Sequence, residues 1–170
     1  VKRIKLTQGK FALVDDEDFE EINKHKWYYI SHRRRNGEDY GYAKRCHNRG
    51  KHLYMHNVLL NIANNSGIDH KDRGGLNNQK ENLRRCSRSQ NCANRNSIIK
   101  TSKFKGIYFC KNNKRPWAAE LEFKGKRYRL GHFNTEEEAA RKYDIYAYKF
   151  WGEFAYLNFR FPGEVSFSYE

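Results

Sequence analysis

The sequence is short of the residues that cross-link, anchor or export a protein. Its four cysteines, Cys46, Cys86, Cys92 and Cys110, form no Cys-x-x-Cys pair. A zinc ribbon needs such pairs to set thiolates around the ion, so no structural zinc is expected, and free thiols in a reducing compartment fit better. No apolar run approaches the roughly 18 residues of a membrane-spanning helix. The start, Val1 to Lys10, lacks the apolar stretch of a secretory signal. Apolar residues make up only 38 % of the 170-residue chain, yet aromatics reach 15 %. Disordered chains are poor in aromatics, so wholesale disorder is excluded. Negative charge is scarce too: 20 Asp and Glu stand against 34 Lys and Arg, leaving +14.

That excess is spread as +5, +5 and +4 over residues 1–54, 55–100 and 101–170. A basic tail on a neutral enzyme would concentrate it at one end. An even spread suits a long footprint on a polyanion, whose counterions are released on binding.

Hydrophobic patterning divides the chain into the same three segments and a tail, residues 161–170. In residues 1–54, Ile4, Leu6, Phe11, Leu13 and Val14 read as short strands around a turn at Gln8-Gly9. An acidic helix over residues 15–22 follows, with Asp15 or Asp16 as its cap. Trp27 to Ile30 and Tyr40 to Arg45 flank Asn36-Gly37, a hairpin signal. Arg33, Arg34 and Arg35 beside that turn are either a solvated charge run or phosphate contacts; the surrounding cations favour contact.

Residues 55–100 hold few apolar side chains, chiefly Val58, Leu59, Leu60, Ile62, Ile68, Leu76 and Leu83. That predicts a small motif held by polar contacts or a metal. Residues 87–95 read as a short helix entered through a Ser cap. Residues 101–160 alternate as three strands, with turns at Asn112-Asn113 and Lys124-Gly125. A helix then opens at Asn134 or Thr135, with Ala139, Ala140, Tyr143, Ala147 and Phe150 on one face. The fold class expected is α+β: a β-rich start, a small central motif, and a three-stranded antiparallel sheet packed on one helix.

Residues 69–91 carry the chemistry. The string Asp69-His70, Leu76-Asn77-Asn78, Glu81-Asn82-Leu83 and Gln90-Asn91 resembles the HNH motif, in particular that of phage and intron-encoded homing endonucleases. His56 and Leu59 match the family's His-Arg-Leu lead-in, although Asn57 stands where Arg is usual. The resemblance implies a ββα-metal module, two strands and a helix around one divalent cation. It makes His70 the general base, Asp69 and Asn91 the metal ligands, and Asn82 the brace that orients His70; Asn94 is the second choice of ligand. The chemistry suits those residue types. A neutral imidazole, with an ordinary pKa of roughly 6.5, takes a proton from water at cellular pH. One carboxylate plus one amide leaves most of a Mg²⁺ shell for water and phosphate oxygens, with Mn²⁺ as a substitute.

Lys105-Gly106-Ile107-Tyr108, Trp117-Ala118-Ala119-Glu120-Leu121, Arg129-Leu130-Gly131 and Leu157-Asn158-Phe159 resemble an AP2/ERF DNA-binding domain. That family reads the major groove with a sheet. Strand period two then turns Trp117, Ala119, Leu121, Tyr128 and Leu130 toward the helix. Ala118, Glu120, Glu122, Arg127 and Arg129 face outward, with Lys105, Tyr108 and Cys110. The DNA contacts expected are Lys105, Tyr108, Glu120, Arg127 and Arg129, beside Arg33, Arg34 and Arg35. Plant domains carry Arg where Glu122 and Cys110 stand and Trp where Arg129 stands, so a different target sequence is implied.

Together these readings point to a site-specific homing endonuclease working on double-stranded DNA inside a bacterial host. A monomer would nick one strand, leaving 3′-hydroxyl and 5′-phosphate ends, with no membrane and no small-molecule cofactor. Two other readings stay open: a DNA-binding regulator that does not cut, and a basic RNA-binding protein.

Overall fold

The computed structural model describes residues 1–33, 39–47, 51–62, 67–95 and 101–159, with the side chains of Arg33 and Asp39 left out. The chain forms two compact units, Val1–Asn91 and Cys92–Glu170.

In the first unit, β1 (Lys2–Lys5) and β2 (Phe11–Val14) pair antiparallel, Ile4 opposite Ala12. The turn between them reverses through Gln8 and Gly9, whose φ values are 60° and 66°. Ile4 and Leu6 are buried while Lys2, Arg3 and Lys5 are exposed, the alternation of a half-buried strand. A 3-10 turn, Asp16–Asp18, leads into α1 (Phe19–Asn23), which buries Ile22. Neither Asp15 nor Asp16 caps it through a side chain. The Asp15 carboxylate instead accepts from Gln79 Nε2 at 3.3 Å and Lys80 N at 2.8 Å.

The expected hairpin is the core of a second sheet. Strands β3 (Tyr28–Arg33), β4 (Asp39–His47) and β5 (Lys51–Tyr54) lie antiparallel in that order. Strand β5 runs into α2 (Met55–Leu59). Two short strands follow, β6 (Ile68–His70) and β7 (Leu83–Arg85), paired antiparallel. Then comes α3 (Arg88–Asn94). Its cap is reciprocal: Gln90 N donates to Ser87 Oγ at 3.2 Å and Ser87 N to Gln90 Oε1 at 2.7 Å.

One core joins β1, β2, α1, β3, β4 and α2. Ile4, Leu6, Ala12, Val14, Ile22, Trp27, Ala43 and Met55 are buried together, with Val58, Leu59 and Leu76 packed against them. Strand β2 also bonds the motif's loop, Leu13 N to Leu76 O and Asn78 N to Leu13 O, both at 2.8 Å. Polar contacts are thus joined by apolar packing in holding residues 55–100. Their sparse apolar side chains complete a core that the N-terminal strands begin.

The second unit follows its pattern closely. Strands β8 (Ile107–Phe109), β9 (Trp117–Phe123) and β10 (Lys126–Phe133) form an antiparallel sheet with β9 in the centre. The long helix α4 (Glu136–Trp151) starts from a full capping box of Thr135 and Glu138. Ala119 and Leu121 of the sheet meet Ala139, Ala140, Tyr143 and Ala147 of the helix. Gly106 is required here, because a Cβ on it would stand 2.2 Å from the Tyr143 ring. Buried Asp144 ties down the following chain, accepting from Asn158 N at 2.8 Å, Asn158 Nδ2 at 3.0 Å and Phe159 N at 2.8 Å.

Candidate active site and nucleic-acid-facing sheet

Strand β6 sets Asp69 and His70 side by side in sequence and on opposite faces, each 5 % exposed. Antiparallel pairing places Arg84 opposite Asp69 and Leu83 opposite His70. Arg84 Nε and Nη2 both donate to Asp69 Oδ2, at 2.9 and 2.7 Å. A carboxylate this buried needs such a counter-ion, since leaving water is costly for an unpaired charge.

His70 takes its orientation from Asn78. Its Nε2 lies 3.4 Å from Asn78 Oδ1, and Asn78 is 1 % exposed. Asn78 Nδ2 donates to Leu76 O at 3.2 Å, which turns Oδ1 toward the imidazole. An acceptor facing Nε2 puts the ring proton there and makes Nδ1 the basic nitrogen. Burial holds the imidazole below its ordinary value of 6.5, outweighing the opposite pull of Asn78, Asp72 and Asp69. The ring is therefore neutral at cellular pH.

Asn82 braces the loop between the strands. Its Oδ1 accepts from Asp72 N at 3.0 Å and its Nδ2 donates to Asn77 O at 2.7 Å. The side chain within hydrogen-bond distance of His70 is that of Asn78, to which the sequence assigned no role. Asp72 tightens the same turn, accepting from Gly74 N at 2.8 Å and Asn77 Nδ2 at 3.1 Å. A Cβ on Gly75 would stand 2.4 Å from both Gly41 O and the Tyr42 ring, so only glycine lets this loop lie against β4.

A wall of rings stands behind His70. The His56 ring on α2 meets it edge to face, with centroids 5.2 Å apart at 86°. Tyr54 stacks on His56 at 5.5 Å, and Tyr42 touches His56 at 5.6 Å and His70 at 5.8 Å. Burial pushes His56 down to about 3. His56, Tyr42 and Tyr54 were not sequence candidates. Only the lead-in spacing of His56 and Leu59 signalled one of them, because the ring contacts are tertiary.

Among the described residues, no group of three or more His, Cys, Asp and Glu could hold a metal. An ion here would draw on one carboxylate, Asp69, together with amide, water and phosphate oxygens. That donor set fits Mg²⁺ and lacks the nitrogen and sulfur ligands of zinc. Asn91 is half-buried on α3, and Asn94, three residues on, is buried.

The sheet of the second unit presents the other candidates. Arg129 lies opposite Glu120 and Arg127 opposite Glu122, with both arginines exposed. The Tyr108 hydroxyl donates to Glu120 Oε2 at 3.4 Å. One assignment needs correction. Lys105 precedes β8 and does not project from the sheet: its ammonium donates to Ala93 O and Arg95 O, at 2.5 and 2.7 Å. A cation at the last carbonyls of α3 complements the helix dipole, and this fixes where Lys105 points. Ala118, expected outward, is 2 % exposed. It is a small side chain between the longer Tyr108 and His132 on the flanking strands, which cover it. Arg34 and Arg35 lie outside the described residues, as does the side chain of Arg33.

Both resemblances seen in the sequence find support among known proteins. Residues 102–153 match the AP2 domain family. Over 156 residues the chain is 29 % identical to an uncharacterized HNH endonuclease of Acanthamoeba polyphaga mimivirus, covering 89 % of this chain and 76 % of that protein. It is 42 % identical over 62 residues to an AP2/ERF and B3 domain-containing transcription repressor of Arabidopsis thaliana, and 39 % identical over 62 residues to a related transcription factor of that plant. Each of those matches spans 36 % of this chain and 17 % of the plant protein.

Proposed function

We propose that this AP2-bearing, HNH-like chain is a metal-dependent DNA endonuclease of the homing type, which nicks one strand at a site selected by its AP2 sheet. The observation that carries the reading is the buried His70, next in sequence to Asp69, with its Nε2 3.4 Å from Asn78 Oδ1 and its pKa lowered by burial. In the hydrolysis, a water oxygen attacks the scissile phosphorus while its proton passes to His70 Nδ1. The bond from phosphorus to the 3′ oxygen breaks, and that oxygen takes a proton from solvent. The ends are a 3′-hydroxyl and a 5′-phosphate. Asn78 keeps the base in the correct tautomer, and Arg84 fixes the Asp69 carboxylate. Asp69 and Asn91 are the residues that would hold Mg²⁺ or Mn²⁺, which neutralises phosphoryl charge when bound. Exposed Arg127 and Arg129, with half-buried Tyr108 and Glu120 on the same face, present a strand surface suited to base edges and phosphates in a major groove.

A second reading, a DNA-binding regulator that does not cut, is favoured by one observation: Asp69 Oδ2 already accepts two bonds from Arg84. Supercoiled plasmid carrying DNA from the gene's neighbourhood separates the two. Open circles that need Mg²⁺ and vanish with EDTA are expected of the nuclease. Tight, salt-sensitive binding without cutting would leave the regulator.

A further inference from the structure

His56 is an unusual residue to find behind a catalytic histidine. It stands on α2, its ring is covered by Tyr54, Tyr42 and His70, and its Nδ1 is buried with no hydrogen-bond partner among the described residues. A buried polar atom without a partner destabilises a fold, whereas a phenylalanine of similar shape in the same pocket would not. An imidazole kept there at such a disadvantage points to work for its other nitrogen. The proton's position follows from the same atom. An unpaired buried N–H is rarer and costlier than an unpaired buried acceptor, so Nδ1 carries the bare lone pair and Nε2 carries the hydrogen.

We propose that His56 is a second catalytic residue, whose Nε2–H donates a hydrogen bond to a non-bridging oxygen of the scissile phosphodiester while His70 handles the proton of the attacking water. The inference rests on the nuclease reading of the site. Two perpendicular imidazoles in contact then divide the work. His70 is steered by Asn78 into accepting a proton, and His56, whose Nδ1 has no hydrogen-bond partner among the described residues, stays an uncharged donor. Its low pKa, near 3, supports this role, because a neutral imidazole polarises a phosphoryl oxygen without exchanging a proton with it. A fixed donor aimed at developing charge acts on the transition state more than on the bound substrate.

The test uses the full chain with His56→Phe and His56→Gln. Phenylalanine keeps the stack on Tyr54 and the edge contact with His70 but removes the donor, whereas glutamine keeps a donor. His56→Phe is expected to lower kcat about 100-fold with KM within about twofold and Tm no lower than wild type. His56→Gln should recover part of the rate. Cleavage by His56→Phe at the wild-type rate would overturn the proposal. So would a Tm and a rate that fall together without recovery in His56→Gln. The imidazole NMR resonances, recorded with duplex DNA in EDTA, provide a readout without cutting. A downfield shift of the His56 N–H on adding DNA is expected, and no shift overturns the contact. Should the wild type bind DNA, show that shift and fail to nick, the nuclease reading falls and the phosphate contact stands.

Discussion

Around β6 and β7 the first unit buries Asp69, His70, Asn78 and Asn82, with Asn57 on α2, whereas the second unit packs Ile107, Ala119, Leu121, Ala139, Ala140 and Ala147 between sheet and helix. Its charged pairs differ in the same sense. The side chains of Asp69 and Arg84 are 6 % and 10 % exposed, while the sheet's Arg127, Arg129 and Glu122 stand in solvent. Buried polar groups must be hydrogen-bonded in one geometry, which fixes side chains to a fraction of an ångström and lowers the stability margin. An alanine-rich sheet-and-helix core does the opposite, holding a rigid frame that leaves its outer face free to vary. On the function proposed above, the first unit carries the chemistry and the second presents a surface.

The contrast can be broken most severely at Arg84. Arg84→Met leaves Asp69 buried without its counter-ion and should destabilise residues 1–91 by about 3 kcal/mol, with residues 92–159 keeping their protection in hydrogen exchange. Equal loss in both units would show that they do not unfold separately. Acid should sharpen the contrast next. His56 and His70 have folded pKa values below 6.5, so their stabilising contribution is complete above that value. It is lost as pH falls, for His56 toward about 3, because the unfolded chain binds protons the folded one refuses, an effect on the order of a few kcal/mol. Asp144 is shifted the other way, raised above 3.8 by burial, so its contribution is present in acid and lost as pH rises through its folded value. Exchange at about pH 4 against about pH 7 should therefore loosen residues 1–91 first.

At the sheet, Arg127→Ala or Arg129→Ala should reduce discrimination between target and non-target DNA by about 1–3 kcal/mol, leaving the rate of cutting bound DNA unchanged. Binding titrations against both sequences would show it, and unaltered specificity in both variants would remove these side chains from the interface. The smallest effect expected is at the helix cap. Thr135→Ala deletes one half of the capping box and should lower the stability of the second unit by about 1 kcal/mol, read as a fall in its Tm.

The two units also differed in how far the sequence revealed them. Strand alternation and helical period are local, and they marked Trp117–Phe123 as a strand and Asn134 or Thr135 as the cap of the long helix, of which the structure selects Thr135. At the candidate site, Asp69 and His70 stood out by their place in the HNH-like string, and the structure sets them next to each other on one strand. Asn82 was legible as a loop brace because its partners, Asp72 and Asn77, lie within the motif. What stayed hidden was tertiary. Asn78 reaches His70 only once β2 has bonded the loop, and His56 and Tyr42 meet His70 only when α2 and β4 pack beside β6. Lys105 was misread for a related reason. Strand period assigned it to the sheet face, but the strand begins at Ile107, and the carbonyls at the end of α3 claim its ammonium.

The division of labour is tested most directly by His70→Ala on supercoiled plasmid and on the same DNA in a binding titration. The predicted result is at least about a 100-fold loss of Mg²⁺-dependent nicking with Kd for DNA changed less than about twofold, because the base acts only in the chemical step. Nicking and affinity lost in parallel, or nicking retained, would contradict it.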